Sequence, residues 1–143
     1  MTDVGLGFLH LRLREFDKSI EYLDKAIRVS PYDRGVPYWY GGKALANFGL
    51  KRYEQAIEQL RHVIAINPNG IAWAHTTLVA ALALTGHETE AREALQRYLA
   101  LSSIGPLKTI GAIKAHLESQ HWLPAETNER VYDGLRKAGM PEE

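Results

Sequence analysis

The sequence contains no cysteine, and this absence removes several kinds of chemistry at once. A chain without thiols forms no disulfide bond, holds no metal through thiolate ligands and has no cysteine nucleophile. The absence also fits a reducing compartment. At 143 residues, the chain is long enough for one domain with its own packed hydrophobic core.

The sequence also lacks an excess of charge of either sign. Its 17 Lys and Arg residues balance 17 Asp and Glu residues, so the formal net charge is zero. A neutral chain has no general attraction to nucleic acid or to an acidic membrane surface. We therefore expect neither of these as a partner.

Long apolar runs are missing as well. The longest wholly apolar run, Leu78 to Leu84, is far shorter than the roughly 20 residues that a membrane-spanning helix needs. The first residues do not resemble a signal peptide, because Asp3 replaces the expected positive charge and His10 and Arg12 interrupt the apolar residues. We therefore expect a cytoplasmic protein.

The clearest pattern that is present is an amphipathic helix in residues 52–68. Its apolar side chains recur at the i, i+3, i+4, i+7 spacing of one helical face, and they are Tyr53, Ala56, Ile57, Leu60, Val63 and Ile64. Pro68 ends the helix, because the residue before a proline is disfavoured in helical conformation. A similar helix precedes it in residues 16–29, with Pro31 after its end, and a looser copy follows in residues 88–101.

The three copies form a measurable repeat. The small residues at equivalent positions, Ser19, Ala56 and Ala91, are 37 and 35 positions apart. A leucine follows each of them by four positions, at Leu23, Leu60 and Leu95. Small residues let two helices cross closely, and a single helix pair cannot bury its own apolar face. The sequence therefore predicts stacked helical hairpins.

This pattern resembles the tetratricopeptide repeat, a helix-turn-helix unit of about 34 residues with the pattern W-x2-L-G-x2-Y…A-x3-F…P. The matches are Leu6, Gly7, Ser19, Leu23 and Pro31 in the first copy, Tyr40, Ala44, Ala56, Leu60 and Pro68 in the second, and Leu78, Ala91 and Leu95 in the third. The third copy has Ser103 in place of the proline. The resemblance covers residues 1–104 and implies an all-α fold, a right-handed solenoid of three helical hairpins with a C-terminal helical cap.

We expect one helical-repeat domain over residues 1–143, with repeats at 1–33, 34–69 and 70–104 and cap helices in 105–143. One cap helix is predicted to open at Pro106 and the other to run from Pro124 to Ala138. The predicted residues that cover the third repeat are Leu107, Ile110, Ile113, Leu117, Trp122, Leu123, Val131, Tyr132 and Leu135. Those predicted to face water are Glu129, Arg130, Arg136 and Lys137.

Four segments together resemble the C-terminal repeat region of bacterial proteins whose N-terminal part is a class III adenylate or guanylate cyclase. They lie in residues 30–33, 42–56, 67–86 and 129–142, and the closing Gly-Leu-Arg-Lys-Ala-Gly-x-Pro of residues 134–141 is the most specific piece. The resemblance implies an accessory region that binds a partner or controls how catalytic domains meet. A fragment of a longer protein and a free-standing homologue both fit the sequence.

Motifs of catalysis are incomplete in this chain. Residues 41–43 read Gly-Gly-Lys, but a phosphate-binding loop would need glycine at Pro37 and Ser or Thr at Ala44. His87 begins a zinc-protease pattern whose second histidine is replaced by Ala91. The carboxylates on outward faces or helix starts are Glu54, Glu58, Glu88, Glu90 and Glu93. None is placed to form an acid/base pair, so we expect a non-enzymatic protein without cofactor or metal.

In tetratricopeptide folds the first helix of each hairpin lines a concave face, and this face is the candidate binding surface. The predicted partner-binding residues on it are Phe8, Leu11, Tyr38, Leu45, Phe48, Trp73, Thr76 and Ala80. Aromatic side chains are common anchors at interfaces. The expected occupant is a protein or peptide partner, or a second copy in a homodimer. The alternative is that the C-terminal helices fold against this face and make it part of the core.

Overall fold

The computed structural model describes residues 2–121 and 123–143, and within them it contains eight α-helices and no β-strand. The helices are α1 (Asp3–Arg12), α2 (Phe16–Val29), α3 (Val36–Gly49), α4 (Tyr53–Ile66), α5 (Ala72–Leu84), α6 (Glu88–Leu99), α7 (Ile110–Gln120) and α8 (Ala125–Ala138). The predicted all-α fold is confirmed. In the described part of the chain, no helix combines the length and the hydropathy required to cross a lipid bilayer.

The first six helices pack as three successive hairpins. Each of α1, α3 and α5 pairs with the helix that follows it, and the hairpins stack through α2 on α3 and α4 on α5. The small residues predicted at the crossings, Ser19, Ala56 and Ala91, are all completely buried. The solenoid of helical hairpins predicted from the repeat is therefore confirmed.

The same tight turn closes each hairpin. One residue of the turn has a left-handed backbone, with φ of 65° at Arg14, 62° at Lys51 and 83° at Gly86. The next amide then donates to the carbonyl five residues earlier, in the pairs Glu15 to His10, Arg52 to Asn47 and His87 to Leu82. Residues other than glycine are disfavoured in this region. Its recurrence at an arginine and a lysine indicates that hairpin packing imposes the turn.

The cap begins later than predicted, because Pro106 does not open a helix. A short 3₁₀ turn occupies Ser102–Ile104, and α7 starts only at Ile110. The reason is the N-cap at Thr109, whose Oγ1 accepts a hydrogen bond from the Ala112 amide at 3.2 Å.

The end of the chain also caps α7. The Ile110 amide donates to the Pro141 carbonyl and the Gly111 amide donates to the Glu142 carbonyl, both at 2.9 Å. These two bonds satisfy amides that an isolated helix start would leave without partners. The tail is held in turn by Gly139, whose φ of 101° ends α8, so that Met140 is buried.

Helix α8 does more than cover the third hairpin. It packs most extensively on α5 and also contacts α6 and α7. Near its start, Leu123 packs against a small cluster whose members are Leu11, Phe16, Leu45 and Ala46. Glu126 accepts a hydrogen bond from Arg14 in the first hairpin at 2.9 Å. Helix α8 therefore reaches residues of all three hairpins.

Most of the predicted cap residues are in the expected environment. Ile110, Ile113, Val131, Tyr132 and Leu135 are buried, and Leu107, Leu117 and Leu123 are half-buried. Glu129, Arg136 and Lys137 are exposed as predicted. Trp122 lies outside the described residues.

Candidate functional site

The eight predicted partner-binding residues fall into two environments. The five that are buried are Leu11, Leu45, Phe48, Thr76 and Ala80. Phe8 and Trp73 are half-buried, and Tyr38 is 44% exposed. Phe8, Tyr38 and Trp73 therefore keep part of their surface exposed to solvent. That these residues bind a partner stays a prediction.

Helix α8 covers the predicted face at Ala80. A Cβ atom built on Gly134 would collide with the backbone of Ala80 and would lie 2.8 Å from its carbonyl oxygen. Glycine is therefore required at this crossing, because any side chain would push the two helices apart. At this point the alternative raised from the sequence, that the C-terminal helices fold against the inner face, describes the structure.

Arg130 covers the same face at the end of α3, which corrects the prediction that it faces water. One guanidinium nitrogen donates to the Phe48 carbonyl at 2.8 Å, and the other donates to the Gly49 carbonyl at 3.0 Å. The group also lies 5.2 Å from the centre of the Phe48 ring. A cation at a helix C-terminus satisfies carbonyls that lack intrahelical partners and interacts favourably with the helix dipole. Arg130 therefore fastens α8 to the second hairpin.

The glycine pair that invited comparison with a phosphate-binding loop has a packing role. A Cβ on Gly41 would collide with the Trp73 ring, and one on Gly42 would lie 2.9 Å from a methyl group of Leu23 and 3.0 Å from the Phe8 ring. The two glycines thus make room for side chains of the neighbouring helices. The interpretation that they allow close helix packing is confirmed.

An apolar cleft of about 320 Å³ opens beside Trp73, between α5, α6 and α7. Its wall is made by Ala72, Trp73, Thr76, Tyr98, Leu107, Ile113, His116, Leu117 and Gln120. His116 and Gln120 are exposed, whereas Ile113 and Tyr98 are buried. The cleft therefore combines an apolar floor with a polar rim, which is the usual composition of a site that takes an apolar group.

The Tyr98 hydroxyl belongs to the floor of this cleft. It donates to the Leu107 carbonyl at 2.6 Å, and burial raises the pKa of Tyr98 to about 12. The hydroxyl thus holds the connection between α6 and α7 in place as a neutral group. The cleft consequently presents little charge to an incoming ligand.

Sequence reasoning missed His116 and Gln120 as members of a candidate site. The signal available for them was spacing, because residues 113, 116, 117 and 120 share one face of a helix. The spacing does not predict which other helix this face packs against. The contact with Trp73 is set by the packing of the cap on the third hairpin.

Among the residues that the structure describes, no group of three or more His, Asp or Glu side chains is arranged to hold a metal ion.

Comparison with protein families matches the tetratricopeptide-repeat model to residues 4–33 and 40–69. The first range covers nearly all of α1 and the whole of α2, and the second covers α3 from Tyr40 onward and the whole of α4. The third hairpin and the cap lie outside the matches. No curated protein matches the chain. These two segments are therefore similar to tetratricopeptide repeats, and repeats of this kind generally mediate protein–protein interaction and are typically non-catalytic.

Proposed function

We propose that this chain is a non-catalytic interaction module that binds a protein partner through the apolar cleft beside Trp73. The observation that supports the proposal is the cleft itself, an opening between α5, α6 and α7 that is walled by Trp73 and Tyr98 and that α8 does not line. An apolar side chain of the partner fills it, since a few buried anchors contribute most of the binding energy of an interface. Protein binding is also the general role of tetratricopeptide repeats.

The predicted partner-binding residues divide into two roles in this proposal. Trp73 and Thr76 line the cleft. We propose that Phe8 on α1 and Tyr38 on α3 extend the contact beyond it. The buried members support this surface from beneath, and they are Leu11, Leu45, Phe48 and Ala80. A neutral chain that contains no cysteine suits a protein partner in the cytoplasm better than nucleic acid or a membrane.

The cleft is tested by selecting peptides from a displayed library on the unmodified protein and measuring the affinity of the best one by calorimetry. Leu117→Glu places a charge on the cleft wall, and His116→Trp fills the rim from an exposed position. We expect each change to weaken binding at least about tenfold, because a charge in the wall disfavours an apolar anchor and the larger tryptophan ring occupies its space. The matched control is Leu13→Glu, at an exposed leucine outside the cleft.

Circular dichroism confirms that each variant is folded before its affinity is measured. Peptides that bind His116→Trp and the unmodified protein equally well would exclude the cleft as the site. Loss of binding in the Leu13→Glu variant would also exclude the cleft as the site, because Leu13 is not one of the residues that line the cleft.

A second candidate function is homo-oligomerisation through the first helix. Leu6 and Leu9 of α1 and its C-cap residue Leu13 recur at the i, i+3, i+7 spacing of one face, and Leu13 is 53% exposed. The end of a repeat array exposes apolar surface unless a cap covers it. A second copy covers this row in the proposed dimer. Light scattering over a range of protein concentrations is expected to show a dimer that Leu9→Glu abolishes, and a concentration-independent monomer would contradict it.

The proposal also includes the accessory role beside a class III nucleotide cyclase that the sequence resemblance implies. Its most specific motif, residues 134–141, is engaged in folding, because Gly134 packs on Ala80, Gly139 ends α8 and the Pro141 carbonyl caps α7. The motif therefore supports the shape of the cap more than the identity of the partner. A cyclase domain fused to the chain is expected to lose activity when Leu9→Glu abolishes the dimer, and unchanged activity would contradict the role.

A further inference from the structure

Helix α8 docks on residues that are far from it in the sequence. Its hydrogen bonds reach Arg14 across 112 positions and the carbonyls of Phe48 and Gly49 across 82 and 81 positions. Its connection to α7 is short, consisting of residues 121–124. We propose that the groove under α8 also accepts the α8 of a second copy of this chain, so that two chains exchange this helix.

The second copy is the occupant because it carries a matching set of groups. Arg130 supplies the cation for the carbonyls at the end of α3, and Gly134 supplies the close approach to Ala80. These contacts join α8 to α3 and α5, so their geometry is the same whichever chain provides α8. Exchange of an identical element is a common route to symmetric dimers.

The tail follows α8 in the exchange. The bonds from the Ile110 and Gly111 amides to the Pro141 and Glu142 carbonyls then join two chains instead of two parts of one chain. Helix α7 packs on α8 more than on any helix of the hairpins, so in the exchanged form each α7 contacts the α8 of the partner copy. Within the described residues, the hydrogen bonds that hold α8 and the tail form again between the two chains.

The connection between α7 and α8 favours opening. His121 has φ of 53° and ψ of 29°, a left-handed conformation that is unfavourable for any residue with a side chain. Its amide reaches the Leu117 carbonyl only at 3.4 Å. When the chain opens at this point, His121 returns to an ordinary conformation. Short strained connections promote exchange of this kind.

Buried polar atoms of α8 also lower the free-energy cost of removing this helix from the groove. Within the described residues, the buried oxygens without a hydrogen-bond partner include Thr127 Oγ1, Asn128 Oδ1 and Tyr132 Oη, all on α8. A buried polar atom without a partner is unfavourable relative to the hydrated state. These atoms regain water when α8 leaves the groove, so the open form is more accessible than the apolar contacts alone would allow.

Mutual rescue between two damaged chains tests the exchange directly. Ala80→Leu blocks the groove and Gly134→Leu blocks the face of α8 that enters it. Each variant has either a blocked groove or a blocked α8. Neither the monomer nor the homodimer of one variant therefore contains an unmodified groove together with an unmodified α8. When the two variants are refolded together in equal amounts, the unmodified α8 of the Ala80→Leu chain can enter the unmodified groove of the Gly134→Leu chain. We expect a heterodimer by light scattering and a cooperative melting transition that neither variant shows alone.

A mixture that behaves as the sum of its two components would overturn the proposal. The rescue is independent of the cleft beside Trp73 and of the α1 row, so it is repeated with Leu13→Glu in both chains. A heterodimer that persists with Leu13→Glu in both chains would show that the chains exchange α8 and do not associate through α1. A heterodimer that disappears with this change would show that the chains associate through α1.

The hinge provides a second test in chains that fold on their own. His121→Gly removes the strain of the closed form and is expected to lower the dimer fraction by roughly fivefold at equal concentration. His121→Pro cannot adopt a positive φ and is expected to raise the dimer fraction. Equal dimer fractions in the two variants, measured by light scattering after long incubation at high concentration, would contradict exchange through this connection.

Discussion

At the scale of single residues, the helix crossing of the first hairpin contains a buried hydroxyl group that the equivalent crossings of the other two hairpins lack. Ser19 is completely buried and its hydroxyl has no hydrogen-bond partner in the described structure. The equivalent positions of the other hairpins hold Ala56 and Ala91, which have no polar side-chain atom to satisfy. An unsatisfied buried hydroxyl costs about 1–3 kcal/mol. The first hairpin therefore carries a defect that the other two lack.

Ser19→Ala is expected to raise the free energy of unfolding by about 1 kcal/mol, because it removes the unpaired hydroxyl and leaves the packing of the crossing intact. The reverse change in the second hairpin, Ala56→Ser, is the matched control and is expected to lower it by a similar amount. Urea denaturation followed by circular dichroism measures both. A loss of stability in Ser19→Ala would mean that the hydroxyl makes a favourable bond in solution.

Sequence patterns predicted the crossing residues well but missed the residues that hold α8. Ser19, Ala56 and Ala91 follow from a repeat, so each supports the prediction of the others. Arg130 and Gly134 occur once, and their partners are distant in the sequence. An arginine on the polar side of an amphipathic helix looks the same whether it meets water or a helix end, so its role depends on the tertiary fold.

At the scale of elements, local chemistry determines which boundaries are predictable. Helix α2 occupies the predicted residues 16–29, because its apolar period and the following Pro31 are local signals. Helix α7 starts four residues after the predicted Pro106, because the capping Thr109 and the returning tail determine its first turn. The tail contact joins residues about thirty positions apart, and no local pattern reports it.

Removal of residues 121–143 is expected to yield an aggregating or poorly folded protein. The deletion uncovers apolar residues of α5 such as Ala80, and it leaves the carbonyls of Phe48 and Gly49 without Arg130. Size-exclusion chromatography and thermal melting measure the effect. Deletion of Glu143 alone is the control, since this residue is exposed. An unchanged melting transition in the long deletion would show that the hairpins are stable without α8.

At the scale of the whole molecule, two buried tyrosines make the fold sensitive to alkali. Burial raises the pKa of Tyr98 to about 12. Burial, together with the nearby carboxylates of Glu118 and Glu129, raises the pKa of Tyr132 to about 12 as well. In the unfolded chain both phenols ionise near their ordinary pKa of about 10. Above that pH the folded state retains protons that the unfolded state has lost.

The free energy of unfolding is therefore expected to be constant with respect to these groups below about pH 10 and to fall as the pH rises towards 12. The loss is on the order of 2 kcal/mol for each tyrosine. Urea denaturation at about pH 9 and about pH 11 measures it. Tyr132→Phe is expected to reduce the fall, whereas Tyr32→Phe, at a side chain that is 97% exposed, is expected to leave it unchanged.

The path of α8 changes how the molecule loses its structure. In a plain stack of repeats each unit contacts only its neighbours, so the ends fray independently and unfolding proceeds along the array. Here one helix touches the first hairpin at Arg14, the second at Phe48 and the third at Ala80. Disorder in any hairpin removes part of the support of the other two. Disorder in one hairpin therefore reaches the other two through α8, and the array is expected to unfold more cooperatively than a plain stack of repeats.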